Sequence, residues 1–182
     1  MRSRDEIKSF LRNVGQGSLM ERAIQFAKFA HDGQRDRGGT PYFDHLERVA
    51  TIVKEKYNDD TLTVIAYLHD TVEDGGFTVS DLMMFFPDVI WKVIAVLTRD
   101  KNTDRDKYIA EVAKNYLAAK VKVCDLEDNM DLGRIPNPNA KDYAKRDHYL
   151  GEYRKLNNAI DEFKKKYSEK DLETEVYAGL FM

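Results

Sequence analysis

Apolar residues recur at intervals of three and four along most of the chain, the spacing that lines one face of an α-helix. Glycine, proline or polar clusters separate these stripes from one another. No segment shows the two-residue alternation of a strand, and no internal repeat is evident. The pattern therefore predicts an all-α fold. Its stripes are Ala23, Ile24, Ala27 and Ala30; Leu46, Val49, Ala50 and Val53; Leu62, Ile65 and Ala66; Val89, Ile90, Val93, Ile94 and Leu97; Tyr108, Val112 and Tyr116, continued by Val121, Asp125 and Asn129; and Tyr153, Leu156, Ile160, Phe163 and Tyr167.

Three breaks interrupt the helical pattern. Residues 33–41 form a glycine-rich, basic loop, residues 74–76 are expected to end the third helix as a glycine C-cap, and residues 135–139 contain two prolines ahead of the last helix. Each break is short and lies between apolar stripes, so none is interpreted as an interdomain linker. With 182 residues, we expect one domain over residues 1–182, with a core of about 20–167 and a tail at 168–182.

Composition excludes several classes of protein. The 29 Lys and Arg against 32 Asp and Glu give a net charge of −3, which disfavours broad binding to nucleic acid. No apolar run approaches the ~18 residues of a membrane span. The single cysteine, Cys124, excludes an internal disulfide, and the N-terminus lacks the apolar stretch of a signal peptide. We therefore expect a cytoplasmic protein without a membrane partner.

A histidine and three acids are concentrated between residues 69 and 74. His69 extends the third apolar stripe, and the pairs His69–Glu73 and Asp70–Asp74 are each four residues apart. Carboxylates this close repel one another unless a cation compensates them. Solvated acids at a helix end are the alternative interpretation of each residue alone, but the cluster as a whole favours a cation site.

Further polar residues lie on the buried side of predicted helices. Asp125 lies four residues after Val121, although for Asp125 alone a salt bridge with Lys or Arg is slightly favoured. His45 lies on the second stripe, His31 ends the first, and His148 is interpreted as a surface residue. Imidazole and carboxylate ligands without thiolate suit Mn²⁺, with Fe²⁺, Zn²⁺ or Mg²⁺ as alternatives.

These residues form the series H…HD…D, and the surrounding segments extend it. The chain resembles the HD-domain metal-dependent phosphohydrolases, in particular the hydrolase domain of RelA/SpoT-type enzymes and the small alarmone hydrolases, from about residue 20 to residue 160. The segments that carry the resemblance are Phe-Ala-His-Asp-Gly-Gln at 29–34, Gly-Thr-Pro-Tyr-Phe-Asp-His at 39–45, Leu-His-Asp-Thr-Val-Glu-Asp at 68–74, and Val-Lys-Val-Cys-Asp at 121–125 with Asn-Met at 129–130.

The resemblance implies an HD-domain helical bundle that removes the 3′-pyrophosphate of guanosine tetra- or pentaphosphate. A small-molecule nucleotide is thus the expected partner. The chain ends before the synthetase domain of bifunctional relatives, so hydrolysis alone is expected. The implied residues are His45, His69, Asp70 and Asp125 as ligands of one Mn²⁺, Glu73 and Asp74 as the acids that orient or deprotonate water, and Asn129 and Tyr149 as nucleotide contacts.

Arginines of the glycine-rich loop could supply charge to a polyphosphate. Arg35 and Arg37 suit this role because guanidinium groups bind phosphate through two hydrogen bonds, and two solvated loop arginines are the alternative. Relatives commonly have Arg-Lys where this chain has Asp36-Arg37, and Arg-Leu-His where it has residues 126–128, Leu-Glu-Asp.

These departures keep two other functions open. One is a phosphohydrolase acting on another nucleotide, such as a nucleoside monophosphate or NADPH. The other is a non-catalytic nucleotide-sensing module, which the retained acids Glu73 and Asp74 disfavour because binding alone needs no base.

Overall fold

A computed structural model of the chain describes residues 2–15 and 17–167, and these residues form helices without any strand. The prediction of an all-α fold is confirmed. Within residues 2–15 and 17–167, none of the helices is long and apolar enough to cross a bilayer. The tail predicted at 168–182 lies outside the described residues. The helices are α1 (Arg4–Asn13), α2 (Leu19–His31), α3 (Tyr42–Tyr57), α4 (Asp60–Leu68), α5 (Val79–Met83), α6 (Asp88–Leu97), α7 (Arg105–Val112), α8 (Tyr116–Met130) and α9 (Ala140–Lys166), with a 3₁₀ turn at Leu132–Arg134.

Side chains that cap helix ends explain where the observed helices differ from the stripes. The stripe of Tyr108, Val112 and Tyr116 is divided between two helices, because α7 ends at Val112 and α8 begins at Tyr116. The Asn115 side chain accepts a hydrogen bond from the backbone N–H of Ala118 at 2.9 Å, which fixes the start of α8. Asn139 caps α9 in the same way, well before the first residue of its apolar stripe.

The chain divides into two compact units, residues 1–100 and residues from 101 onward. The expectation of a single domain over residues 1–182 stays a prediction. In the first unit, α4 packs against α2, α3 and α6, and its side chains from Leu62 to Ala66 are all buried. Phe26 of α2 is fully buried and packs against the rings of Phe10 and Phe77. α4 therefore lies at the centre of the first unit, and His69 and Asp70 follow directly after its last residue, Leu68.

The second unit is built on α8, which packs against α9 and α7. Arg105 of α7 donates two hydrogen bonds, of 2.7 and 2.8 Å, to the buried carboxylate of Glu152 on α9. This paired contact raises the pKa of Arg105 above its ordinary value, although burial opposes it. The ion pair joins α7 to α9, and thereby helps to fix the two helices that flank α8.

Candidate metal centre

His45, His69 and Asp70 come together in the first unit. One ligand atom from each lies within 4.8 Å of the others. The Oδ2 atom of Asp70 lies 3.2 Å from Nε2 of His69 and 3.9 Å from Nε2 of His45. Both imidazoles are buried, while the Asp70 side chain keeps 16% of its surface exposed. Two imidazole nitrogens and a carboxylate oxygen thus converge where solvent still reaches the carboxylate.

The end of α4 creates this convergence. The expectation that residues 74–76 end the helix is wrong, because α4 ends at Leu68 and His69 is its C-cap. Nδ1 of His69 lies 2.7 Å from the Ala66 carbonyl, and the Thr71 hydroxyl donates to the Leu68 carbonyl at 2.6 Å. These side chains satisfy carbonyls of the last helical turn, so the backbone leaves the helix at this point.

The chain then turns tightly enough to require glycine at position 75. A Cβ atom there would lie 2.5 Å from the Thr71 carbonyl oxygen and 2.6 Å from the Cβ of Ala30. The predicted acids of residues 70–74 therefore lie on consecutive turns beyond α4, not on the helix itself. Gly75 allows these turns to pack closely against α2.

The hydrogen bonds of His69 fix its tautomer. A carbonyl oxygen only accepts hydrogen bonds, so Nδ1 of His69 carries the proton that bonds to Ala66. In the neutral ring, Nε2 then holds the lone pair and lies on the side of Asp70. A backbone carbonyl that holds one ring nitrogen protonated is a common support of a metal-binding histidine. The donor set and tautomer both fit a divalent cation.

Asp125 lies in the second unit, on α8, and is 3% exposed. Its Oδ2 atom lies 2.6 Å from Nζ of Lys122, and its Oδ1 atom accepts a 2.5 Å hydrogen bond from Asn129. The salt bridge that was the alternative interpretation of Asp125 is thus present. Its role as a fourth metal ligand, and that of Asn129 as a nucleotide contact, stay predictions.

The two predicted catalytic acids differ in their surroundings. Glu73 is partly buried, and its Oε2 atom accepts a 2.9 Å hydrogen bond from the backbone N–H of Arg99. Asp74 is exposed, and its backbone carbonyl accepts a 3.1 Å hydrogen bond from the Gln34 side chain. Glu73 therefore holds the chain after α6, whereas Asp74 is anchored through its backbone and presents its side chain toward solvent.

The glycine-rich loop between α2 and α3 is folded on itself. Arg35 is exposed and donates to the Gly39 carbonyl at 2.7 Å, which helps to close the loop. Asp36 accepts from the Thr40 N–H at 3.1 Å and lies 3.4 Å from Nη2 of Arg48. Arg37 is also exposed. Of the two predicted phosphate contacts, Arg35 thus has a defined role in shaping the loop.

Tyr149 lies on α9 and is partly exposed. The guanidinium carbon of Arg105 lies 5.5 Å from its ring centroid, and Nζ of Lys145 lies 5.3 Å from the same point. The ring is thus a flat surface next to two cations, which is a suitable setting for an anionic, aromatic ligand.

Tyr42 and His31 belong to the surroundings of the cluster, although the sequence interpretation assigned them no role. The Tyr42 hydroxyl donates a 2.6 Å hydrogen bond to Oδ2 of Asp70, and the His31 ring stacks on the Tyr42 ring at 4.8 Å. Burial lowers the pKa of His31, which keeps its imidazole neutral. Tyr42 precedes His45 by three residues on α3, so helical spacing was the signal available in the sequence.

Comparison with known proteins identifies the architecture that carries this cluster. The family profile described as HD domain matches residues 23–123, more than half of the chain. The chain belongs to the HD-domain family. Its cluster of His45, His69 and Asp70 lies inside the matched segment, and Asp125 follows just beyond it. HD domains bind divalent metals, and the observed cluster has the composition that such binding requires.

Individual relatives of this HD domain differ greatly in length. The guanosine-3′,5′-bis(diphosphate) 3′-pyrophosphohydrolase MESH1 of Drosophila melanogaster is 30% identical over 136 residues, which cover 70% of this chain and 76% of that protein. The GTP pyrophosphokinase of Streptomyces coelicolor is 33% identical over 134 residues, 70% of this chain but only 15% of that enzyme. This chain therefore spans only a small part of the long bacterial relatives.

A solved structure shares the fold of this HD domain. It is described as a metazoan orthologue of SpoT that hydrolyses ppGpp, and it superimposes with a TM-score of 0.64 over 84% of this chain and 97% of its own. Its sequence is 23% identical. The likeness supports the HD-domain helical architecture over nearly the whole of that protein.

Proposed function

We propose that this chain is a metal-dependent guanosine-3′,5′-bis(diphosphate) 3′-pyrophosphohydrolase. The observation that carries the proposal is the buried His45–His69–Asp70 cluster within an HD domain. The substrate is taken from the Drosophila relative, a guanosine-3′,5′-bis(diphosphate) 3′-pyrophosphohydrolase, most of whose length this chain covers. Phosphoryl chemistry suits the site because a cation can compensate charge on both the carboxylates and the polyphosphate.

The proposed cofactor is one Mn²⁺ ion, with other divalent metals as alternatives. His45, His69 and Asp70 would hold it, with Asp125 as the fourth ligand. Bound there, such an ion would polarise a phosphoryl oxygen and lower the pKa of a water molecule. The tautomer of His69 supports this role, because Nδ1 is already committed to the Ala66 carbonyl.

Glu73 and Asp74 are the proposed catalytic acids. Their carboxylates would orient the attacking water or accept its proton. The Glu73 side chain is held by the Arg99 N–H, and the Asp74 backbone carbonyl is held by the Gln34 side chain. Asp74 is the more exposed of the two. This exposure leaves its carboxylate accessible to water.

Cationic and aromatic side chains are the proposed contacts of the nucleotide. Arg37 and Arg35 would bind phosphate oxygens. Arg35 would do so with the guanidinium N–H groups that it does not donate to the Gly39 carbonyl. Tyr149 would stack on the base, and Asn129 would contact the nucleotide.

Two of the acids at the departing positions lie next to arginines. Asp36 lies 3.4 Å from Nη2 of Arg48 in the first unit, and Asp128 lies 3.0 Å from Nη2 of Arg134 in the second. The third acid, Glu127, is half-buried on α8. The two ion pairs compensate the negative charges of Asp36 and Asp128.

A substrate panel tests the proposed activity. The full chain with Mn²⁺ is given guanosine tetraphosphate, GMP or NADPH, and pyrophosphate and orthophosphate release are measured separately. We expect pyrophosphate from guanosine tetraphosphate, loss of that activity in Asp70→Asn, and wild-type activity in the control Asp60→Asn, whose exposed carboxylate pairs with Lys54 on the surface. Orthophosphate release from GMP or NADPH alone would favour another nucleotide as substrate.

A further inference from the structure

Tyr42 makes the shortest described contact to the carboxylate of the cluster. Its hydroxyl lies 2.6 Å from Oδ2 of Asp70, and this same oxygen is the one nearest to the Nε2 atoms of His69 and His45. Because an ionised carboxylate only accepts hydrogen bonds, the phenol is the donor. Tyr42 therefore restrains the one atom on which the cluster converges.

The ring of Tyr42 is itself held by two imidazole rings. His31, 2% exposed, stacks on it with ring centroids 4.8 Å apart and an angle of 23° between the planes. The Tyr42 ring also meets the His45 ring edge to face at 5.3 Å. Packing on both sides limits rotation of the phenol ring, and thus fixes the direction from which its hydroxyl reaches Asp70.

Gln34 determines the orientation of His31. The Gln34 amide nitrogen lies 3.1 Å from the Asp74 carbonyl and 3.4 Å from the Ala30 carbonyl, so its oxygen faces His31. Nδ1 of His31 lies 2.9 Å from that oxygen and must donate to it. The same glutamine thus holds the imidazole and the turn that carries Asp74.

The structure assigns Tyr42 as a positioning residue for Asp70, supported by the His31–Gln34 pair; this assignment rests on the proposed metal-dependent function. A hydrogen bond to a ligating carboxylate fixes its orientation before the cation arrives, which lowers the cost of ordering it. Loss of such an outer contact typically weakens metal binding by about 10–100-fold. Tyr42 acts through Asp70 and is not assigned a contact with the substrate.

The test is the affinity of the full chain for Mn²⁺ alone, measured by calorimetry after removal of metal with chelator. Tyr42→Phe keeps the ring and its stacking on His31 but removes the hydroxyl, and we expect its Kd for Mn²⁺ to rise about 10–100-fold. Tyr67→Phe is the matched control: it removes a phenol from α4 whose ring stacks on Phe43 instead, and its Kd should equal the wild-type value.

A second measurement separates positioning from a direct role in turnover. At Mn²⁺ concentrations well above its raised Kd, Tyr42→Phe should recover most of the wild-type kcat, because the hydroxyl only prepares the ligand. A wild-type Kd in Tyr42→Phe would overturn the assignment, as would a raised Kd of equal size in Tyr67→Phe. If the wild-type chain binds Mn²⁺ and Tyr42→Phe binds it more weakly, but neither hydrolyses guanosine tetraphosphate, the result would instead count against the proposed substrate and support the positioning role.

Discussion

His69 shows how a single residue can serve both fold and chemistry. Its Nδ1 proton satisfies a carbonyl of the last turn of α4, while Nε2 keeps its lone pair beside Asp70. The same hydrogen bond thus helps to end the helix and leaves Nε2 available for the proposed metal ion. The sequence predicted the inward position of His69 from helical spacing, but the tautomer depends on a backbone carbonyl that no residue pattern reveals.

At the scale of single residues, the role of Glu73 can be separated from its structural contact. Glu73→Gln retains an oxygen that can accept from the Arg99 N–H, but it removes the negative charge. We expect an unchanged Kd for Mn²⁺ and a fall in kcat of about 100-fold or more, because general acid–base groups contribute about 10²–10⁴-fold. Steady-state kinetics and calorimetry measure the two quantities, and an unchanged kcat would remove Glu73 from the mechanism.

Lys122 permits a test of Asp125 that does not depend on activity. In Lys122→Met, the Asp125 carboxylate stays buried without its 2.6 Å ammonium partner. With chelator present, the free energy of unfolding should fall by about 3 kcal/mol, as expected when one partner of a buried pair is removed.

Mn²⁺ should then raise the Tm of Lys122→Met by more than that of wild type, because a cation bound by Asp125, as proposed, would compensate its carboxylate in place of Lys122. Lys114→Met, which removes an exposed lysine paired with Glu111 on the surface, should lose at most about 0.5 kcal/mol. An equal effect of Mn²⁺ on Lys122→Met and wild type would argue against Asp125 as a ligand.

At the scale of elements, periodicity located most helices but not their ends. The stripes of α2, α3, α4 and α6 were predicted correctly because buried apolar positions follow the helical repeat. The end of α4 depends on the hydrogen bond that the Thr71 hydroxyl donates to the Leu68 carbonyl, and the break before α8 depends on the one that the Asn115 side chain accepts from the Ala118 N–H. Such bonds form only when local geometry permits, so spacing alone located neither.

The sequence predicted the candidate site only in part, because helical spacing locates buried residues but not the contacts made by loops. Helical spacing placed His45 and His69 on buried faces, where the structure brings them together. The contacts of Tyr42 and Gln34 arise only after the loop between α2 and α3 has closed. Helical spacing relates Tyr42 to His45, but it carries no information about the closed loop, and so the contacts of Tyr42 with Asp70 and of Gln34 with His31 were missed.

The loop offers a prediction at the element scale. Arg37→Ala should raise KM for guanosine tetraphosphate about tenfold, with little change in kcat, because a hydrogen bond to a charged group contributes about 1.5–3 kcal/mol. Arg12→Ala, an exposed arginine on α1, is the control and should leave KM unchanged. Steady-state kinetics measure KM and kcat of both variants. A wild-type KM in Arg37→Ala would exclude this side chain as a phosphate contact.

At the scale of the whole molecule, the buried imidazole of His31 should make stability depend on pH. Burial lowers its pKa below the ordinary 6.5, and Gln34, His69, Asp70 and Asp74 surround it. Between the lowered pKa of His31 in the folded chain and its ordinary pKa in the unfolded chain, the unfolded chain binds a proton that the folded chain does not. Acid therefore favours unfolding. The contribution of the neutral His31 ring to the free energy of unfolding is fully present above about pH 6.5. It is lost as the pH falls toward the lowered pKa of the folded state.

Urea unfolding with chelator present, from pH 7.5 to pH 5, tests this dependence. The free energy of unfolding of wild type should decline over the acidic part of this range, and His31→Gln should show a shallower decline because it cannot titrate. Parallel curves for the two proteins would show that another group controls the acid sensitivity.

The proposed metal site of His45, His69 and Asp70 should be required for the release of pyrophosphate from guanosine tetraphosphate. The most direct measurement is the rate of pyrophosphate release from guanosine tetraphosphate by chelator-stripped full-length chain as Mn²⁺ is restored. We predict no release without metal, a rate that rises with Mn²⁺ until about one equivalent is bound, and GDP as the nucleotide product. Release that is independent of metal, or orthophosphate as the released species, would contradict the account.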